Sequence, residues 1–527
     1  MNCFTFLESN KEKIKKGGFY QILCRKCGAT ICGSRYSMKR HLLTSKHRRG
    51  FGPNGQTASE LIIQDSVDRV TQTFLQASVP IDKFHRLVNR DSIVAFRSLG
   101  SIPSIRTVRR SIVRVLEEKK SNMKRVLVGQ RFCLMMDETT DITSRSLCAV
   151  VVTNLDFRLC LKVKEMDRCD ASSLQKLLEE TLLQYEIDWQ QITNFVTDGA
   201  RACVSLGRRL NEQYAIQHTL CAAHLLHLIS QKLMESFPNI NGLCKLVRVF
   251  FKRGIQAGRK KRWRSQNITD ISLPSKTRWG TWLKCVSDVF MRRKNLLTFI
   301  TKEETSETAN QLIKCLTNEG SIQDLRFIEY FSRLFTPLID GIQERQLRKD
   351  TLNRWRNIET WLFKMSGKDY AKIINLSVNS GTMGKIMDFL NKIRRYKPRW
   401  EDANRIIYTH FYLCPEHIKP LIEDENKLCD KMRKYLRGDL IGQFIDFQNF
   451  LMKKDESCHS PHLYWTGKKQ VFGDLSKHFL SLLVMEPTSC EVERVFSHVT
   501  YIMNPRRNRL NTENLEAEVI FSYNTIN

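Results

Sequence analysis

A chain of 527 residues exceeds the roughly 250 to 300 at which a single core stops growing, so at least three parts are expected. Lys and Arg number 85 against 55 Asp and Glu, a formal charge of +30 that favours a polyanionic partner, nucleic acid first. The 17 cysteines, odd in number and scattered through apolar stretches, argue against a disulfide framework and for reduced thiols inside the cell, and no apolar run approaches the roughly 20 residues of a membrane span or forms a secretory leader.

The charge is uneven. Residues 1–50 hold twelve Lys or Arg and only Glu8 and Glu12. Within them, LCRKCGATICGSRYSMKRHLLTSKH separates Cys24 from Cys27 by two residues, Cys27 from His41 by thirteen and His41 from His47 by five. That spacing predicts a tetrahedral Zn²⁺ site, two thiolates from a knuckle turn and two imidazoles from a helix capped by Ser34. Cys32 is a competing ligand with no comparable spacing. Arg35, Lys39 and Arg40 fall on the helix that such modules insert into the major groove of double-stranded DNA; the alternative is a zinc-stapled fold used for protein contacts. The segment resembles a BED-type zinc finger, with Phe19 and Tyr20 ahead of Cys24, and is taken as residues 1–53.

After a short linker, residues 59–130 carry apolar positions at helical spacing, among them Leu61, Val67, Val70, Phe74 and Leu75, interrupted by Pro80 and Pro103. Arg106, Arg109, Arg110 and Arg114 share a helix face there, either a second DNA contact or a solvated face.

Residues 131–283 change period. RFCLMMD, SLCAVVVTNLD and RLCLKVKEMD read as three strands; a helix capped by Ser172 or Ser173, the strand ITNFVTDGA, a helix, and HTLCAAHLLHLISQKL follow. This order resembles an α/β ribonuclease H-like core, in which the first and fourth strands are neighbours. Asp137, closing the first, and Asp198, closing the fourth, then meet at one sheet edge and can bind Mg²⁺ or Mn²⁺ through hard oxygens. Each acid by itself also fits a turn, and Asp141 competes with Asp137. Cys221, His224, His218 and His227 lie close in sequence, but steps of three drift around a helix, which favours buried support of the edge or phosphate contact over a second zinc site. A second basic block, Lys245 to Arg264, contains no acid and fits a nuclear-import signal, a phosphate-contacting surface or a solvated face.

In order, the finger, the helical stretch, DETTD, TDGA, a Cys-x-x-His, the Arg-Trp of KTRWGTW and PTSCEVERVFS resemble the hAT superfamily of DNA transposases across most of the chain. The resemblance implies Asp137, Asp198 and Glu493 as the catalytic acids, with Val492 where the family has serine, and Cys221 and His224 beside the active site. It makes Arg278 and Trp279 DNA-binding residues, the indole stacking on a displaced base, a contact worth about 1 to 3 kcal/mol. A local reading prefers Glu493 to Glu491, because Thr488 and Glu491 have capping-box spacing. The resemblance further implies an all-helical insertion at 284–470, containing Trp355 and Trp361. It makes 471–527 the last part of the core and a dimerisation region that buries Leu510, Leu515 and Phe521. The expectation is a nuclear homo-oligomeric transposase acting on transposon ends and target DNA. Two alternatives stand beside it: a domesticated DNA-binding or transcription-regulating descendant without transposition, and a plain nuclease, which leaves the finger unexplained.

Overall fold

The computed structural model describes residues 4–6, 21–24, 30–32, 41, 58–83, 104–252, 255–266, 268–275, 280–303, 306–343, 349–364, 380–415, 436, 440–453, 461–505 and 507–524. Three short strands, β1 (Phe4–Phe6), β2 (Gln21–Cys24) and β3 (Thr30–Cys32), pair antiparallel in that order. Cys24 ends β2 and His41 is buried. Cys27, His47, Ser34, Arg35, Lys39 and Arg40 lie outside the described residues, as do Arg278 and Trp279.

By its contacts the chain forms two units, residues 1–128 with 498–527, and residues 129–497. The expected 471–527 segment is therefore divided between them. In the first unit, α1 (Ala58–Gln76) packs on α2 (Ile105–Leu127), whose first turn is capped by Ser104 accepting from the Thr107 amide. Leu75, Ile112 and Val115 form one core with Ala517 and Phe521 of the last helix, Thr512–Tyr523. Two ion pairs join this set: Lys120 to Glu516 at 3.2 Å, both buried, and Arg507 to Glu518. Arg106, Arg109, Arg110 and Arg114 are exposed on α2, and Arg114 is forked onto Asp68 of α1.

The second unit is built on a five-stranded sheet. Its strands are β4 (Phe132–Thr140), β5 (Ser146–Thr153), β6 (Arg158–Glu165), β7 (Ile192–Thr197) and β8 (Gln217–Leu220), in the order β6-β5-β4-β7-β8. β4, β5 and β6 form an antiparallel meander, whereas β7 lies parallel to β4 and β8 parallel to β7. The apolar runs of β4 and β5 are buried without alternation, as strands covered on both faces require. Helices α3 (Ala171–Gln184) and α4 (Arg201–Tyr214) pack together. Asp170, not Ser172 or Ser173, caps α3: its carboxylate accepts from both serine amides. The sheet is thus mixed and the chain mostly helical.

From β8 the chain enters α5 (Ala222–Ser236) and then a long run of helices. Their hub is α6 (Glu319–Gln343), which packs against Thr281–Met291, Lys349–Phe363 and α5. Phe327, Phe331 and Phe335 of α6 are buried, with Trp361 ringed by the first two. A further helix, α7 (Lys397–Tyr412), stacks Trp400 on Trp355 at 3.9 Å and reaches back to β8. The basic block is partly structural. Arg259 is buried with its guanidinium over the Phe250 ring, Trp263 is buried, and Lys260 and Arg264 pair with Asp270. No helix among the described residues is long and apolar enough to cross a membrane.

Candidate functional site

The parallel pair β4 and β7 sets the site. Their pairing runs only to Met135 and Val196, while β4 continues beside β5 to Thr140. Asp137 consequently lies inside β4, opposite Ala149, and not at the strand's end as the sequence had implied. The reason is the hairpin that follows: the Asp141 carboxylate accepts from the amides of Thr143 and Arg145 and from the Arg145 guanidinium, extending the ladder. That occupation makes Asp141 a turn residue. Asp198 follows the last residue of β7 and accepts the Ala200 amide at 2.7 Å, which turns the chain into α4. Gly199 in that turn has φ +98°, a conformation open to glycine.

The third acid arrives from far along the chain. Residues 485–489 are laced to the sheet edge by side-chain and main-chain donors. Asn194 of β7 donates to the Glu486 carbonyl at 3.0 Å, the Ala222 amide to the Pro487 carbonyl at 2.9 Å, and the Ser489 amide to the Cys221 sulfur at 3.3 Å. The His410 ring of α7 meets the Met485 carbonyl at 2.8 Å. These bonds launch α8 (Cys490–Ile502), with Glu493 in its first turn. Because α8 begins at Cys490, Ser489 and not Thr488 stands at the capping position. Glu491 is buried against Arg158 of β6, at 3.3 Å, and Arg494. Its charge is therefore compensated, and it is Glu493 that interacts with the aspartates.

Electrostatics tie the three acids together. Burial pushes the Asp137 carboxyl well above the usual carboxylate range; Asp198, Glu493 and Cys221 push the same way, against the Glu138 amide. Glu493 keeps an open face to solvent, yet the protein around its carboxyl raises it, and Asp198 adds to the shift. Cys221 is fully buried, which drives its thiol up, but hydrogen bonds from Cys490, Ser489 and the His224 amide outweigh burial and bring it to about 7. Burial lowers His218 and His227 to about 4 and also lowers His224, despite the pull of Asp198 on His224. His218 bonds Thr197 and His227 bonds Gln231, so the ring set does not converge.

A buried carboxyl raised by neighbouring carboxylates suits a divalent cation, whose charge would offset the repulsion. Among the described residues no three His, Cys, Asp or Glu side chains are grouped closely enough to hold an ion by themselves. Mg²⁺ does not require such a cage, since it is held by one or two carboxylates together with water and substrate phosphate. Beside Glu493 opens a cleft of about 550 Å³, lined also by Thr281, Lys284, Asp340, Gln343 and Arg494.

One residue of this edge escaped the sequence reading. Arg399 of α7 donates from Nη2 to the Asp198 carbonyl at 3.0 Å. A Cβ at Gly199 would come within 2.7 Å of that nitrogen. No motif surrounds Arg399; only its basic charge within a helix was visible.

An acidic centre at the edge of a mixed sheet, completed by a late helix, defines an α/β protein whose site is assembled from distant parts of the chain. Residues 443–524 match the family model of the hAT family C-terminal dimerisation region, which supports hAT membership and a homo-oligomer, and suggests a transposase or a protein derived from one. Comparison with curated proteins yields no match.

Proposed function

We propose that this chain is a hAT-type DNA transposase, with a ribonuclease H-like core whose acids Asp137, Asp198 and Glu493 cleave transposon ends and join them to target DNA. The observation that carries the reading is the electrostatic coupling of Asp137 to both Asp198 and Glu493, three acids from β4, the end of β7 and α8. Sheet order supports the core, because β4 and β7 are parallel neighbours. Mg²⁺ or Mn²⁺ held by these carboxylates would supply activation of a water or 3′ hydroxyl and stabilisation of the leaving oxygen.

The chain's own residues define what surrounds that chemistry. Buried Asp137 provides a desolvated carboxylate in which electrostatic interactions are strengthened. Cys221, tied to the Ser489 and His224 amides, and Asn194, tied to Glu486, hold α8 against the strand ends. Cys221 and His224 thereby serve as support for the site rather than as ligands. The finger residues Cys24, Cys27, His41 and His47, with Arg35, Lys39 and Arg40, are assigned by spacing and charge to zinc and to the transposon end, and Arg278 and Trp279 by resemblance to the DNA at the site. A nuclear location follows from that role.

The test is incubation of the purified protein with candidate terminal repeats and Mg²⁺ or Mn²⁺. Nicks or hairpins are expected from the wild type and none from Asp137→Ala, with DNA binding retained. Binding without cleavage at every candidate end would favour the domesticated, transcription-regulating alternative. Product persisting in Asp137→Ala would overturn the site.

A further inference from the structure

The helical insertion touches the acidic edge at two points of one helix. At one point on α7 Arg399 bonds the Asp198 carbonyl; further along, His410 meets the Met485 carbonyl, just ahead of the helix that bears Glu493. The eleven steps from Arg399 to His410 span about 16 Å of helix at 1.5 Å each. Asp198 and Glu493 are hence braced by a single rigid rod that lies outside the sheet.

The Arg399 contact is specific in form. Asp198 presents its main-chain oxygen to the guanidinium, while its carboxylate accepts from the Ala200 amide. Arg399 thus grips the turn without consuming the acid. Gly199 leaves room for the grip, because a Cβ there would come within 2.7 Å of Nη2 and push it aside. Arg399 Nε is buried with no hydrogen-bond partner among the described residues. The charged and titratable groups facing this guanidinium are Asp198, Cys221 and Tyr396, which favour its charge, and His218 and His224, which it disfavours as cations. Leaving a cation half-buried with one nitrogen unsatisfied costs stability, and the gain visible in the structure is an ordered Asp198 turn.

We infer that Arg399 is a positioning residue of the acidic site: through α7 the insertion holds the Asp198 turn in register with Glu493, and so sets the affinity of the carboxylates for a divalent cation. This rests on the acids' proposed role, and the experiment separates the two. Full-length wild type, Arg399→Ala, Arg399→Lys and Asp137→Ala are compared by thermal unfolding and by calorimetric titration with Mn²⁺ alone.

Arg399→Ala is expected to stay folded and to bind Mn²⁺ at the site about 10-fold or more weakly, the range for residues that orient metal ligands. Arg399→Lys, which keeps the charge but not the planar guanidinium, is expected to recover part of the affinity. A folded Arg399→Ala with wild-type Mn²⁺ affinity, alongside a weakened Asp137→Ala, overturns the positioning role and leaves the acids' role intact. Unweakened Mn²⁺ binding in Asp137→Ala overturns both. If Arg399→Ala does not fold, Arg399→Lys decides: weakened binding in a folded protein supports the role, and wild-type binding refutes it.

Discussion

Buried acids occur in both units of the chain, and they fall into two kinds, those closed by a base and Asp137, which is not. In the helical unit, Glu516 is closed by Lys120, and Glu518 meets Arg507, although burial still raises its carboxyl. In the sheet unit, Asp137 is surrounded instead by Asp198, Glu493 and a thiol, all of which disfavour its charge. A paired carboxylate recovers much of its desolvation cost; carboxylates gathered together do not, and a fold keeps such an arrangement where function requires it. Glu491 and Glu493 repeat the contrast within one helical turn, the first compensated by Arg158 and Arg494 and the second coupled to Asp198.

The contrast can be broken or sharpened by substitution. The largest effect is expected at the acidic edge, where Asp137→Ala or Glu493→Gln should lower end cleavage by more than about 10³-fold while thermal unfolding shows a protein no less stable than the wild type. A parallel loss of stability would place these acids with the paired class. Next comes Lys120→Met, which removes the buried cation facing Glu516 and should cost about 3 to 5 kcal/mol in denaturant unfolding of the helical unit. Adding Glu516→Leu should return most of it; a double variant as unstable as the single would show that packing, not charge, dominates there. Glu491→Gln should cost about 1.5 to 3 kcal/mol, the worth of hydrogen bonds to charged groups. A loss of cleavage in Glu491→Gln without a change in stability would erase the distinction from Glu493.

The smallest effect is a gain. Asp137 has a folded carboxyl raised above its unfolded value, chiefly by burial and then by Asp198, so the wild type loses stability as pH rises from the ordinary carboxylate range through the raised value. Asp137→Asn carries no such penalty. Its melting temperature should exceed the wild type's by a few degrees at neutral and mildly alkaline pH, with the gap closing in acid. A constant gap across pH would mean that packing rather than ionisation separates the two.

Much of the sheet was legible because its signals are local. Apolar runs without alternation marked β4 and β5. That residues 284–470 are helical was expected from the resemblance rather than from any one local signal. What stayed hidden depends on contacts between distant residues. That Asp137 sits within β4 follows from how far β5 pairs beyond β7, which neither strand records by itself. Asp170 displaced the serines as the cap of α3 because an Asp just before the helix reaches two amides at once. Arg399 lies about two hundred positions from the turn it holds, and only Gly199, a common turn residue, hinted that something approaches there. The division at residue 498 was equally invisible, since the last helix is buried from Leu515 to Phe521 and its core partners lie near the amino terminus.

The lacing of residues 485–489 onto the sheet has a consequence for the time order of synthesis. Asp137 and Asp198 leave the ribosome together, but at roughly 5 to 20 residues per second Glu493 follows tens of seconds later. Throughout that interval the nascent chain holds two acids and no third, with the sheet edge that will receive Pro487 and Ser489 still open. The helical unit waits longer still for Thr512–Tyr523. A chain ending ahead of Cys490 would lack both the helix that carries Glu493 and the Thr512–Tyr523 helix of the other unit.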